Sequence, residues 1–169
     1  MSNNTKVFIS HASKDIKYVE PLVELLDRIG LSENNLFCSS VPGYGIPLGE
    51  NIYDYLANEF KENNLLVLFV LSENYYNSTA CLNEMGAAWV LKRKYYTILL
   101  PEFEFEKIDG AIDPRKIAIN FGANSQELKH GLSQLRDGIA SIFNLKNVSE
   151  SRWENYRDKF LDAIKTIKN

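Results

Sequence analysis

Leu65-Leu66-Val67-Leu68-Phe69-Val70-Leu71 places seven apolar residues in a row near the middle of the chain. A run of that length without alternation is the pattern of a central parallel strand covered on both faces. Val7-Phe8-Ile9-Ser10, Leu36-Phe37-Cys38, Tyr96 to Pro101 and Ile117-Ala118-Ile119 read as four further short strands. Between and after them the apolar positions move to helical spacing. Ile16, Val19, Val23, Leu26 and Ile29 predict a helix over Asp15 to Ile29, with Gly30 as its stop. Pro21 interrupts that stretch, so the helix either starts late with Pro21 in its first turn or kinks there. Ile52, Leu56 and Phe60 form one stripe of a helix over Asn51 to Lys61. Leu128, Leu132, Leu135, Ile139 and Ile142 mark a helix from about Ser125. Trp153, Tyr156, Phe160, Ile164 and Ile167 mark the last one, with Ser151 and Glu154 as its capping box.

Strands alternating with helical connections predict a parallel α/β sheet of five strands with helices on both faces. In such sheets ligands bind beyond the carboxyl ends of the strands, at the point where strand order reverses. Three segments lie past those ends: Ser10-His11, Ser39-Ser40 with the loop that follows, and Ser72 onward. The loop from Ser39 to Gly49 carries three glycines and two prolines in eleven residues, which excludes helix and strand. Tyr44 sits in its middle, and a connection of this kind often carries function.

The segment past Ser72 leads into a helix over Ser78 to Leu91, followed by Lys92-Arg93-Lys94 at the negative end of its dipole. From Asn74 to Leu91 the one charged residue is Glu84. A helix apolar nearly all round is expected to be buried on most sides, with Trp89 in the core beside Leu82 and Met85. A carboxylate is seldom buried without a partner. Ala87 and Ala88 share the Glu84 face and leave space beside it, so Glu84 reads as a charge kept in a small-walled pocket.

Composition narrows the chemistry. A length of 169 residues predicts a single domain. Net charge is −3 and no basic stripe is visible, which argues against a nucleic-acid partner. The two cysteines, Cys38 and Cys81, make no disulfide framework, and with the polar start Met1 to Thr5 they predict a cytoplasmic protein. No apolar run is long enough to span a membrane. Two histidines and two cysteines without paired spacing argue against a metal site. Neither a GxGxxG fingerprint nor a phosphate-binding P-loop is present. A nucleophilic role for Cys81 with His11 as base has nothing to lower the thiol pKa.

Three motifs in order resemble the TIR (Toll/interleukin-1 receptor) domain family, particularly its bacterial members. They are Val7-Phe8-Ile9-Ser10-His11-Ala12-Ser13-Lys14-Asp15, the loop Pro42-Gly43-Tyr44-Gly45-Ile46-Pro47-Leu48-Gly49-Glu50, and Cys81-Leu82-Asn83-Glu84-Met85-Gly86. The loop resembles the family's BB loop, and the third motif resembles its catalytic-glutamate helix. The resemblance covers a core of about residues 5–145, and the helix at about 150–168 completes one domain over residues 1–169. It implies a flavodoxin-like three-layer fold. It further implies cleavage of NAD at the nicotinamide–ribose bond, giving ADP-ribose or a cyclic isomer, with Glu84 as the catalytic residue. NAD would be the substrate, with no other cofactor. Ser10, His11, Ser39, Ser40, Tyr44 and Cys81 are the expected substrate-binding residues. Several eukaryotic members carry Trp four positions before the glutamate, where this chain has Ala80. The implied partners are other TIR domains, through self-assembly, and a sensor domain or protein, in antiphage defence. Two alternatives stand beside the enzyme: a TIR scaffold without turnover, and a nucleoside deoxyribosyltransferase-like enzyme.

Overall fold

The computed structural model describes residues 4–168; residues 1–3 and 169 of the expected domain lie outside the described residues. Strand β1 (Thr5–Ser10) leads through a short 3-10 turn at Ser13–Asp15 into helix α1 (Ile16–Arg28). Then come β2 (Leu36–Phe37), α2 (Ile52–Glu62), β3 (Asn64–Leu71), the single-turn α3 (Glu73–Tyr76) and α4 (Thr79–Val90). The chain ends with β4 (Lys94–Leu99), β5 (Ile119–Asn120), α5 (Ser125–Phe143) and α6 (Glu150–Lys168).

All five strands are parallel, in the order β2-β1-β3-β4-β5. This is the doubly wound, flavodoxin-like order, with its reversal between β1 and β3. Alternation along the strands separates two apolar layers. Val7, Ile9, Leu66, Leu68, Val70 and Ile98 face α1, α5 and α6, where Leu22, Leu132 and Trp153 are buried. Phe8, Leu65, Val67, Phe69, Leu71 and Leu99 face α2, α3 and α4, where Phe60, Tyr75, Cys81 and Met85 are buried. The seven-residue run Leu65 to Leu71 is buried throughout, as a strand covered on both faces must be.

The structure differs from the sequence expectations at several places. Pro21 lies in the second turn of α1, which starts at Ile16. Its cost is one lost hydrogen bond, to the carbonyl of exposed Lys17. Ile52 is exposed rather than on the buried stripe of α2; Phe60 is the apolar residue that α2 buries, beside Glu59. The fifth strand is Ile119–Asn120, and Ile117 is 90% exposed before it. Ser151 falls inside the first turn of α6, where the Trp153 N–H already donates to the Ser149 carbonyl, so the capping box is not formed at Ser151. Lys94 opens β4 instead of closing α4.

The largest revision concerns α4. It buries Cys81, Met85 and Ala88, while Leu82, Trp89, Val90 and Leu91 stand exposed. Trp89 is 67% exposed and is therefore not part of the core. A helix packed on one side of a sheet buries one stripe whatever its opposite face is made of.

Leu68, fully buried at the middle of β3, tests this core. Leu68→Ala is expected to lower unfolding stability by about 3 kcal/mol in urea titrations. Ile117→Ala is expected to change it by less than about 0.5 kcal/mol.

Candidate functional site

Ser10 is the last residue of β1 and points to the same side of the sheet as Phe8, because side chains alternate along a strand. That side is covered by α3 and α4. Ser78 caps α4, its side chain accepting from the Cys81 N–H. Glu84 follows in the second turn, at the edge of the seam made by Cys81, Met85 and Ala88. Ser10 Oγ donates to Glu84 Oε2 at 2.5 Å. It is also 2.8 Å from the Tyr75 hydroxyl, which donates to the Cys81 carbonyl at 3.0 Å. Tyr75 is held by α3, whose cap Ser72 accepts from the Tyr75 N–H.

Glu84 is under-compensated compared with its neighbours. Buried Glu59 accepts from Lys6 at 3.0 Å and from Asn63 at 3.1 Å. Buried Asp15 accepts from Ser72 at 2.5 Å and from Asn74 at 2.7 Å. Glu84 has the Ser10 hydroxyl, and among the described residues no Lys or Arg pairs with it. Burial therefore outweighs the hydrogen bond and pushes its carboxyl from the ordinary 4.5 to about 7.

The other expected residues are brought together only in part. His11 is buried; its Nδ1 lies 3.3 Å from the Ile9 carbonyl and 3.9 Å from Cys38 Sγ. As a donor to that carbonyl, Nδ1 leaves Nε2 as an acceptor that is closed off and has no partner. Burial pushes the imidazole down, so it is neutral at pH 7. Cys81 is buried, and its contribution is the carbonyl that fixes Tyr75. Burial raises its thiol to about 11 and that of Cys38 to about 12, so neither is a thiolate nucleophile at neutral pH.

Ser39 and Ser40 are exposed just past β2. The loop after them folds back on the strand end, with the Cys38 N–H donating to the Tyr44 carbonyl at 2.8 Å. A Cβ at Gly45 would stand 3.0 Å from the Ser39 carbonyl oxygen, so a side chain there would crowd this return. Tyr44 turns away from Glu84: its hydroxyl donates to Asp27 of α1 at 2.6 Å, and its ring packs on the α1 layer. Ile46, two residues on, packs on the opposite layer beside Phe37.

Sequence reading missed Tyr75, Asp15 and Ser72. Asp15 and Ser72 tie the segment after β1 to the segment after β3, across the point where strand order reverses. Their signal was position alone: both lie just beyond strand ends. Tyr75 was hidden because a single-turn helix has no periodicity to read. Among the described residues no group of three or more His, Cys, Asp or Glu side chains is placed to hold a metal. Among the same residues no helix is long and apolar enough to cross a membrane.

Two clefts flank this arrangement. One of about 460 Å³ lies at the ends of β1, β3 and β4, lined by Lys14, Asp15, Ser72, Asn74 and Glu102 among others. Another of about 510 Å³ lies beside the exposed end of α4, lined by Met85, Ala88, Trp89, Arg93 and Tyr95 among others. Glu84 lines neither. The carboxylate site is defined by its hydrogen bonds and its position on the sheet edge.

The model of the TIR domain family matches residues 7–135. The chain belongs to the TIR domain family. The matched span contains the sheet apart from the first two residues of β1, together with the loop after β2 and Glu84. A relative named "Uncharacterized protein YddK", from Bacillus subtilis (strain 168), is 39% identical over 160 residues. That match covers 95% of this chain and 57% of the relative, so the chain spans little more than half of that protein's length.

The raised Glu84 carboxyl has a consequence for stability. Between pH 4.5 and about 7 the folded TIR domain keeps a proton that the unfolded chain releases. Stability from this group therefore falls as pH rises through that window. Glu84→Gln is expected to stabilise the domain at pH 8 by about 1–2 kcal/mol, a figure discounted for the partial exposure of Glu84. At pH 4 the two proteins should melt together; thermal scans at the two pH values check this.

Proposed function

We propose that this TIR domain cleaves NAD at the nicotinamide–ribose bond with Glu84 as the catalytic carboxylate. The observation that carries the reading is one partly buried carboxylate, without a cationic partner, at the carboxyl edge of the sheet beside the β1/β3 reversal. The chemistry asks for no more than that. Glycosidases with poor leaving groups use a second carboxyl group to protonate them. Nicotinamide departs with the electron pair of the broken C–N bond, which neutralises its own ring charge, so no acid is required. The ribose carbon then carries oxocarbenium character. An ionised Glu84 offsets that charge and accepts hydrogen bonds from the ribose hydroxyls. Water adds its oxygen to that carbon and releases a proton, giving ADP-ribose; attack by the adenine of the same molecule gives a cyclic isomer instead. NAD is substrate throughout, and the reaction uses no other cofactor.

The loop from Pro42 to Gly49 supports a second element of the proposal, assembly with other TIR domains. Leu48 at its tip is fully exposed, and Ile52 and Tyr53 just beyond it are exposed as well. Apolar groups displayed together in this way are characteristic of interaction surfaces. Assembly of copies through this loop, under control of a sensor domain or protein in antiphage defence, fits these features.

Nicotinamide release followed by chromatography, across pH and protein concentration, tests the reading. Catalysis needs ionised Glu84, so kcat/KM should rise with pH and level off above about 7. Glu84→Gln should lose about 100-fold or more. Turnover unaffected by that substitution, or absent at every concentration, would leave the scaffold reading in its place.

A further inference from the structure

Three oxygen–oxygen contacts run in line from Glu84 into the protein. Glu84 Oε2 is 2.5 Å from Ser10 Oγ, Ser10 Oγ is 2.8 Å from the Tyr75 hydroxyl, and that hydroxyl is 3.0 Å from the Cys81 carbonyl oxygen. Each contact requires one proton between its oxygens. The Cys81 carbonyl has none to give, and the hydroxyls of Ser10 and Tyr75 supply two. The third is present only when Glu84 itself is protonated. In that state Glu84 donates to Ser10, Ser10 to Tyr75 and Tyr75 to the Cys81 carbonyl, and every contact is a hydrogen bond. With Glu84 ionised, Ser10 donates to the carboxylate, and the single Tyr75 proton serves either Ser10 or Cys81. One contact then has no proton, inside a buried network where an unmade bond is costly.

We propose that Tyr75 is a positioning residue for Glu84: acting through Ser10, it favours the neutral carboxyl, and its hydroxyl changes partner when Glu84 ionises. The proposal rests on the reading of Glu84 as the catalytic carboxylate, and it assigns Tyr75 to the same site. Ser10 and Tyr75 then act on Glu84 in opposite directions. Ser10 donates to the carboxylate, so losing it disfavours ionisation. Losing the Tyr75 hydroxyl removes two hydrogen bonds from the neutral state and one from the ionised state, so it favours ionisation. Burial alone predicts the reverse for Tyr75, since a phenyl ring leaves the surroundings more apolar.

The other titratable groups around the site do not blur the test. Cys38 beyond β2, Tyr75 on α3 and Cys81 on α4 all feel the Glu84 charge, and burial holds each above its ordinary range. His11, next to Ser10 on the segment after β1, is pushed below its ordinary 6.5 by burial, away from the Glu84 midpoint. No Lys or Arg among the described residues pairs with Glu84.

The test is a pH titration of the Glu84 side-chain carboxyl by carbon-13 NMR, its resonance assigned by its absence from Glu84→Gln. Tyr75→Phe is expected to move the midpoint down by about half a unit to one unit, and Ser10→Ala to move it up. An unchanged or raised midpoint in folded Tyr75→Phe would overturn the proposal. Should that variant fail to fold, the wild-type protein decides. The Tyr75 ring-carbon resonance next to its hydroxyl must shift with the Glu84 midpoint, and a resonance that ignores that midpoint refutes the partner change. Neither readout uses NAD, so failure of the NAD-cleaving reading is a separate result. Where NAD is cleaved, the acidic limb of kcat/KM in Tyr75→Phe should move down with the midpoint. A merely structural role for Tyr75 would lower the rate at every pH and leave the limb in place.

Discussion

A carboxylate that shares the edge of an apolar layer with one hydroxyl is the constraint around which this TIR domain is arranged. Glu84 cannot leave the layer, because the same turns of α4 bury Cys81, Met85 and Ala88 against the sheet. It is not paired as Glu59 is, because among the described residues no lysine or arginine is brought to it. The donor it does have comes from the end of β1, and the strand's alternation leaves no choice about the face on which Ser10 appears. The fold thus retains a group that disfavours its own folded state above neutral pH. Packing elsewhere in the domain offsets that cost.

That offset is visible in the surrounding elements. The seven buried residues of β3 and the two apolar layers on either side of the sheet supply the cohesion. Asp15, Ser72 and half-buried Asn74 form a hydrogen-bonded network across the β1/β3 reversal, which ties the segment after Ser10 to the segment that leads to Tyr75. The loop after β2 is built differently. Tyr44 anchors it to one layer and Ile46 to the other, while Leu48 remains in solvent. The loop is thus anchored through its middle and exposed toward its end.

Much of this was legible in the residues. The uninterrupted run in β3 marked a parallel sheet, the ends of β1 and β3 marked the edge where Ser10 and Ser72 stand, and an isolated charge in an apolar segment singled out Glu84 as a candidate. What escaped was everything decided by which face of an element meets which neighbour. Trp89 and Ile117 are apolar yet exposed, and Tyr44 belongs to the right loop yet turns toward α1. A helix that is apolar on all sides offers no pattern from which its buried face can be read.

The succession of strands and long helices along the chain follows from spacing alone, because burial periodicity is a local property of each element. The proton chain from Glu84 through Ser10 and Tyr75 to the Cys81 carbonyl follows from no local property. Its members are separated by up to 74 residues, and they meet only because parallel pairing of β1 with β3 brings both strand ends, and the helices that follow β3, to one edge. Whether a carboxyl group holds its proton depends on what stands within a few ångströms of it, and that is decided by tertiary structure.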